Sequence, residues 1–324
     1  MTCLLPPLSL NQLKTNEQRQ SLMRQSRFLS AGLLQISAAA VLWGTIGIAT
    51  QAIYSTEPIN SLFINLMRTL LATLILLPMA WRAFGTSLFN LPRRDLALML
   101  FAGVILALSH ACYFAAIRYA GVTVATLLTI CTAPVLVSVV SAALKIEPFS
   151  GRLAIALIAA ITGSVLLVGL NEDGTAHLNL PLGVLFAVLA AAAYGGMILC
   201  GRRLAGTYHP LHTTTLMFVA GSILLLLLNA ASGITLPSSN SVWLIMLYLA
   251  VAPTALGYGL FHAGLRTTAA TTASIVSMLD PVVAAGLAWI LFNEVLSVPA
   301  IIGALFLLMG IGLLAATSHR SSDE

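Results

Sequence analysis

Residues 134–167 read PVLVSVVSAALKIEPFSGRLAIALIAAITGSVLL, and residues 281–314 read PVVAAGLAWILFNEVLSVPAIIGALFLLMGIGLL. Laid over one another at an offset of 147, they place Pro134 on Pro281, Glu147 on Glu294 and Gly163 on Gly310. Val135/Val282, Ile155/Ile302, Leu166/Leu313 and Leu167/Leu314 fall on the same offset. Leucine and valine matches are cheap in so apolar a chain; a proline, a glutamate and a glycine kept in register are not. The second half therefore repeats the first.

Hydrophobic residues make up 59% of the 324 positions and charged residues 8%, against roughly 25% charged in ordinary globular domains. So little charge cannot cover the surface of a soluble protein this size, and lipid must be the main solvent. A helix crossing the hydrocarbon core needs about 20 apolar residues. Ten such segments are expected, at 31–54, 58–80, 96–117, 122–144, 150–170, 180–201, 211–231, 241–264, 268–292 and 298–317. They form an all-α integral membrane fold of two five-helix repeats, 31–170 and 180–317, flanked by tails at 1–30 and 318–324. Five spans per half is odd, so the halves insert in opposite directions.

Lysine and arginine collect on the cytoplasmic side of membrane proteins. With the N-terminus inside, 13 of the 15 basic residues fall there, Arg118 lies outside and Arg68 within a span, so both termini are expected to be cytoplasmic. The net charge of +5 sits in short loops, which argues against a nucleic-acid partner. Cys3, Cys112, Cys131 and Cys200 have no paired spacing, so neither a disulfide framework nor a metal site is read. There is no Walker A sequence, HExxH or GxSxG. No cofactor is expected, and the scattered polar residues do not read as an enzyme's convergent set.

Two charges lie deep in the membrane: Arg68 in span 2 and Asp280 in span 9. Each costs about 2.5–3.5 kcal/mol at a helix centre, so each faces the bundle interior or a wet cavity. Arg68 reads as a clamp for an anionic group such as a carboxylate, and Asp280 as a proton carrier or amine partner. The bland alternative is a structural lock, with the two paired or Asp280 hydrogen-bonded to free backbone. Pro134 and Pro281 sit mid-span in matched helices and are expected to kink both, freeing carbonyls that protein or cavity water must satisfy. Such matched interruptions point to a binding site near the midplane.

His110 and His262 are also intramembrane and read either as proton relays or as plain hydrogen-bonding residues. Tyr258 shares a helix face with His262. Trp43, Tyr113 and Tyr194 are candidate cavity walls or core packing. Glu147 and Glu294 precede spans 5 and 10, where each would complement the N-terminal dipole of the helix that follows it. Ala156/Ala160 and Ala159/Gly163, spaced by four, suit close packing and a homodimer face.

These residues resemble the EamA-type branch of the drug/metabolite transporter superfamily. The resemblance covers about 31–316. It rests on Trp43-Gly44, on Arg68 followed by small and leucine residues, and on the series Tyr113, Pro134, Glu147, Gly163. Tyr194-Gly195, Asp280-Pro281, Glu294 and Gly303 carry it through the second half. It implies a bacterial inner-membrane carrier, often an exporter of amino acids or related compounds, with its cavity between the halves. Family members commonly show Glu-Pro where this chain has Asp280-Pro281, a carboxylate one methylene shorter. The expected function is proton-coupled efflux of a small metabolite. Import of a vitamin-like or nucleotide-related compound is the alternative, and a non-transporting scaffold or enzyme the remote one.

Overall fold

Asparagine side chains start two of the helices. Asn60 accepts from Leu62 N–H at 2.9 Å and Asn179 from Leu182 N–H at 3.2 Å, each meeting a donor the first turn leaves unpaired. The computed structural model describes residues 10–168, 179–232, 236–292 and 297–320, and contains no strand among them. The long helices are α1 (Leu10–Tyr54), α2 (Ser61–Phe84), α3 (Arg93–Ala143), α4 (Gly151–Val168), α5 (Leu180–Ala205) and α6 (Pro210–Ser232). There follow α7 (Asn240–Leu249), a π-helical segment Ala250–Leu256, α8 (Gly257–Gly264), α9 (Ala270–Val276), a 3₁₀ turn Ser277–Leu279, α10 (Asp280–Phe292) and α11 (Val298–Arg320). Helix α1 begins well before residue 31, so much of the expected N-terminal tail is continuous with the first span. Glu294 and the ends of both tails lie outside the described residues.

Among the described residues, nine helices have the length and hydropathy to cross a membrane, one fewer than the expected segments. The difference is α3, whose 51 residues hold one non-helical position, Gly121, at φ 81° and ψ 165°. Glycine alone adopts that backbone without a Cβ penalty. Tyr113 and Thr126 share a hydrogen bond of 2.7 Å between their hydroxyls. In a straight helix residues that far apart would stand about 20 Å from one another. The pieces 93–120 and 122–143 therefore fold back along each other at Gly121.

The expected kinks divide. At Pro281 the helix is interrupted, because the 3₁₀ turn Ser277–Leu279 directly precedes Asp280-Pro281. At Pro134 helical dihedrals persist, so the break expected there falls at Gly121 instead. Ser138 donates back to the Pro134 carbonyl at 2.7 Å.

The two sequence halves interlock. Helix α1 packs on α8 and α10 of the second half, while α5 of the second half packs on α3. Gly44 of α1 lies over the Asp280 carbonyl, and Gly195 of α5 lies over the Ala133 carbonyl. At the α4–α11 crossing, Gly163 meets the Gly303 backbone and Gly310 meets the Ala156 carbonyl. The alanine and glycine stripe expected to suit a dimer face is thus used inside the chain, with Ala156 and Ala160 fully buried. Two backbones approach closely there, and only small residues allow it.

Glu147 corrects another expectation. Its carboxylate accepts from Ala270 N–H at 2.7 Å and Thr271 N–H at 3.0 Å, capping α9 in the other half rather than the helix that follows it in sequence. Its loop turns through Lys145, whose φ is 54°. At this end the bundle is closed: residues 270–278 are buried except Thr272. Toward the opposite end every residue of 279–290, and all of 121–132 except Ala125, is at least part-exposed. A helix between lipid and a filled core would alternate buried and exposed positions, so these segments border an opening.

Charge-assisted hydrogen bonds contribute roughly 1.5–3 kcal/mol, about ten- to a hundredfold in a closed-to-open ratio. A cysteine replacing Ser274, which is 1% exposed, should accordingly react with thiol reagents at least tenfold faster (~1.4 kcal/mol) once Glu147 is changed to alanine. An unchanged rate would show that Glu147 does not hold this end shut.

At the other end of α1, Glu57 accepts from the Ser238 hydroxyl (2.8 Å) and from the N–H groups of Ser238 (3.1 Å) and Ser239 (2.7 Å), at the start of α7. The Ser238 hydroxyl first, then these backbone donors, hold its carboxyl below the ordinary value of 4.5. A depressed folded pKa means stability present above the unfolded value and lost as pH falls through the folded one. Thermal melts from pH 6 down to about pH 3 should show a steeper acid loss for the intact chain than for Glu57→Gln; parallel curves would dismiss the cap.

Candidate functional site

Five elements converge on a narrow crevice. Arg68 and Thr69 enter from α2, His110 from α3, Thr254 from the π-helical segment and Tyr258 from α8, while Phe218 of α6 forms an apolar wall. Helices α3 and α6 come together there because Gly103 and Gly221 carry no side chain: the Gly103 Cα faces the Met217 carbonyl, and Gly221 faces the Gly103 carbonyl.

Arg68 is 5% exposed. Its Nη2 stands 3.0 Å from His110 Nε2. A guanidinium only donates, so Nε2 accepts and the neutral ring carries its proton on Nδ1. Arg68 Nε is buried with no partner. Tyr258 lines the same crevice. Among the described residues, no carboxylate reaches ion-pair distance of the guanidinium. The expected alternative of a direct Arg68–Asp280 lock is therefore not what the structure contains. A buried cation with free donors is costly unless something else completes its coordination.

The other expected residues separate into distinct places. Tyr258 is in the crevice, edge-to-face with Phe218 at a centroid distance of 5.3 Å. His262 is one turn farther along and outside the lining, its Nδ1 2.9 Å from the Tyr258 carbonyl and 3.2 Å from Thr214 Oγ1. A carbonyl only accepts, so Nδ1 carries the proton and the buried Nε2 is without a partner, facing Gly201. Tyr113 pins the hairpin at Gly121, and Tyr194 reaches Ser277 beside Asp280. Trp43 is not in the crevice wall; it sits behind Tyr258, ring centroids 4.9 Å apart. Asp280 is also outside the lining, at the head of α10 where the bundle opens.

Sequence reading missed Thr69, Thr254, Phe218 and the Gly103–Gly221 crossing. A signal existed for one of them: Pro253-Thr254 interrupts an apolar span as Pro281 does, and the chain answers with a π-helix, a feature frequent at functional sites.

Membrane-crossing helices around a buried, unneutralised cation define a multi-pass membrane transporter. The chain belongs to the EamA-like transporter family, whose model matches residues 30–169 and again 181–316. It is 28% identical to the uncharacterized inner membrane transporter YicL of Salmonella typhimurium, over 89% of this chain and 96% of that one. It is 26% identical to the uncharacterized transporter YwfM of Bacillus subtilis, over 89% and 94%. A solved protein crystal structure matches with a TM-score of 0.77 at 20% identity, covering 90% of this chain and 98% of its own, which shows a shared fold.

Proposed function

We propose that this chain is a secondary transporter of the bacterial inner membrane that exports a small carboxylate-bearing metabolite, of the amino-acid type, by alternating access. The observation that carries this reading is Arg68: buried, held by a neutral histidine, and left with a donor facing no protein acceptor. Arg68 binds the carboxylate. Asp280, opposite in charge and not paired with it, takes the amine or carries the coupled proton, with His110 and His262 as the further titratable groups on the route. Hydroxyls of Thr69, Thr254 and Tyr258 and the Phe218 ring orient the rest of the molecule.

Ten spans in two inverted five-helix repeats accommodate the contacts best. The fold-back at Gly121 divides α3 in two. The offset of 147 maps Gly163–Gly303 onto Gly310–Ala156 and Ala133 onto Asp280, the two positions whose carbonyls Gly195 and Gly44 lie over. With cytoplasmic termini, the opening between 121–132 and 279–290 faces outward and the Glu147 end faces inward. Because α1 and α5 are exchanged between halves, the bodies that rock are not the two sequence halves.

The test compares metabolites in medium and cells expressing the intact chain, Arg68→Ala or neither, at matched membrane levels. A compound enriched outside only with the intact chain supports export through Arg68; equal profiles in all three oppose it. Transport against a gradient in vesicles should collapse when the pH gradient is dissipated, and persistence would remove the proton coupling.

A further inference from the structure

The π-helical segment Ala250–Leu256 shifts the backbone bonding of its span by one residue at Gly257. The Gly257 N–H, which in an α-helix would bond the Pro253 carbonyl, goes instead to the carbonyls of Ala252 and Thr254. The Gly257 N–H thus does not serve the Pro253 carbonyl. Trp43, 210 positions away in α1, donates its Nε1–H to it at 3.0 Å in a buried setting. Thr254 Oγ1 donates to the Leu249 carbonyl at 2.7 Å, serving a second group of the same turn.

The fit of the indole depends on position 257. A Cβ there would stand 3.0 Å from Trp43 Nε1, so a glycine lets the ring lie against the helix. The ring then abuts Tyr258 and Phe261, at centroid distances of 4.9 and 5.2 Å. The turn held this way carries Thr254 and Tyr258, the two residues by which this span enters the Arg68 crevice.

We infer that Trp43 is a positioning residue of the crevice: through the Pro253 carbonyl it holds the π-turn that aims Thr254 and Tyr258 at Arg68. The inference rests on reading that crevice as the substrate site. Without the indole N–H, the turn can shed its extra residue and revert to α-geometry. One residue of register is about 100° of rotation, enough to carry Thr254 and Tyr258 off the crevice wall.

The experiment uses the full chain in nanodiscs, with its native cysteines replaced by alanine. Thr254→Cys is the reporter, Thr69→Cys on the α2 wall is the control, and sulfonatoethyl methanethiosulfonate is the probe. Trp43→Phe keeps a ring and removes the donor. It should slow labelling at position 254 by about fivefold or more (~1 kcal/mol) and leave position 69 within about twofold. Gly257→Ala, which displaces the indole while keeping Trp43, should do the same, and carries the comparison alone if Trp43→Phe does not insert. Equal changes at both reporters, or none at either, overturn the proposal. Selective loss at 254 in a chain that moves no metabolite would uphold the positioning role and reject the transport reading alone.

Discussion

Arg68→Ala is expected to abolish transport while the protein still reaches the membrane in normal amount. Truncating one partner of a buried charge–ligand contact costs about 2–5 kcal/mol, or roughly thirty- to several-thousandfold in rate over affinity. The protein itself loses little, because Arg68 bonds the side chain of His110 and leaves Nε unpaired. Removing the cation even relieves an intramembrane charge. Arg68→Lys separates charge from geometry: it keeps the positive charge but not the planar fork that matches a carboxylate. Initial rates in proteoliposomes, with the metabolite found by the export comparison, should fall at least tenfold (~1.4 kcal/mol) for lysine and to background for alanine. Full transport by Arg68→Ala would end the proposal that this residue binds substrate.

Gly103→Ala should prevent accumulation of folded protein. The added Cβ would stand 1.8 Å from the Met217 carbonyl oxygen and 2.7 Å from its carbon, both backbone atoms with no rotamer to escape into. Overpacking a filled core costs typically about 1–3 kcal/mol, and a backbone collision belongs at or beyond the top of that range. Gly303→Ala is the milder companion, its Cβ 2.5 Å from the Gly163 carbonyl oxygen. Gly47→Ala is the control, since nothing lies within 4 Å of the added atom. Size-exclusion profiles and melting temperatures of the three should rank Gly103 worst, Gly303 next and Gly47 near the intact chain. A stable Gly103→Ala would mean that α3 and α6 do not cross where the structure places them.

The residues that line the crevice were unequally legible in the chain. Arg68 and His110 stand out because a charge or an imidazole in an apolar span is expensive, and each does lie in the site. Thr69 and Phe218 do not stand out, since threonine and phenylalanine are ordinary in membrane helices, and Thr254 is marked only by the proline before it. His262 and Trp43 were equally visible, yet sit one layer behind the crevice. Glu147 was visible as a cap, but the helix it caps is not the one that follows it in sequence. The offset of 147 was legible in three residues, and it maps one half of the α4–α11 crossing onto the other.

The apolar segments long enough to span a membrane, and the sequence repeat at an offset of 147, are read from the chain alone. The first depends on the transfer of one segment at a time between water and lipid. The exchange of α1 and α5 between halves, the fold-back at Gly121, the capping of α9 by Glu147 and the bond from Trp43 to Pro253 are not read that way. In lipid every freed backbone group must find a partner inside the protein. Which side chain supplies it depends on how helices far apart in sequence cross, and that is settled by packing at glycines such as Gly103, Gly163 and Gly257.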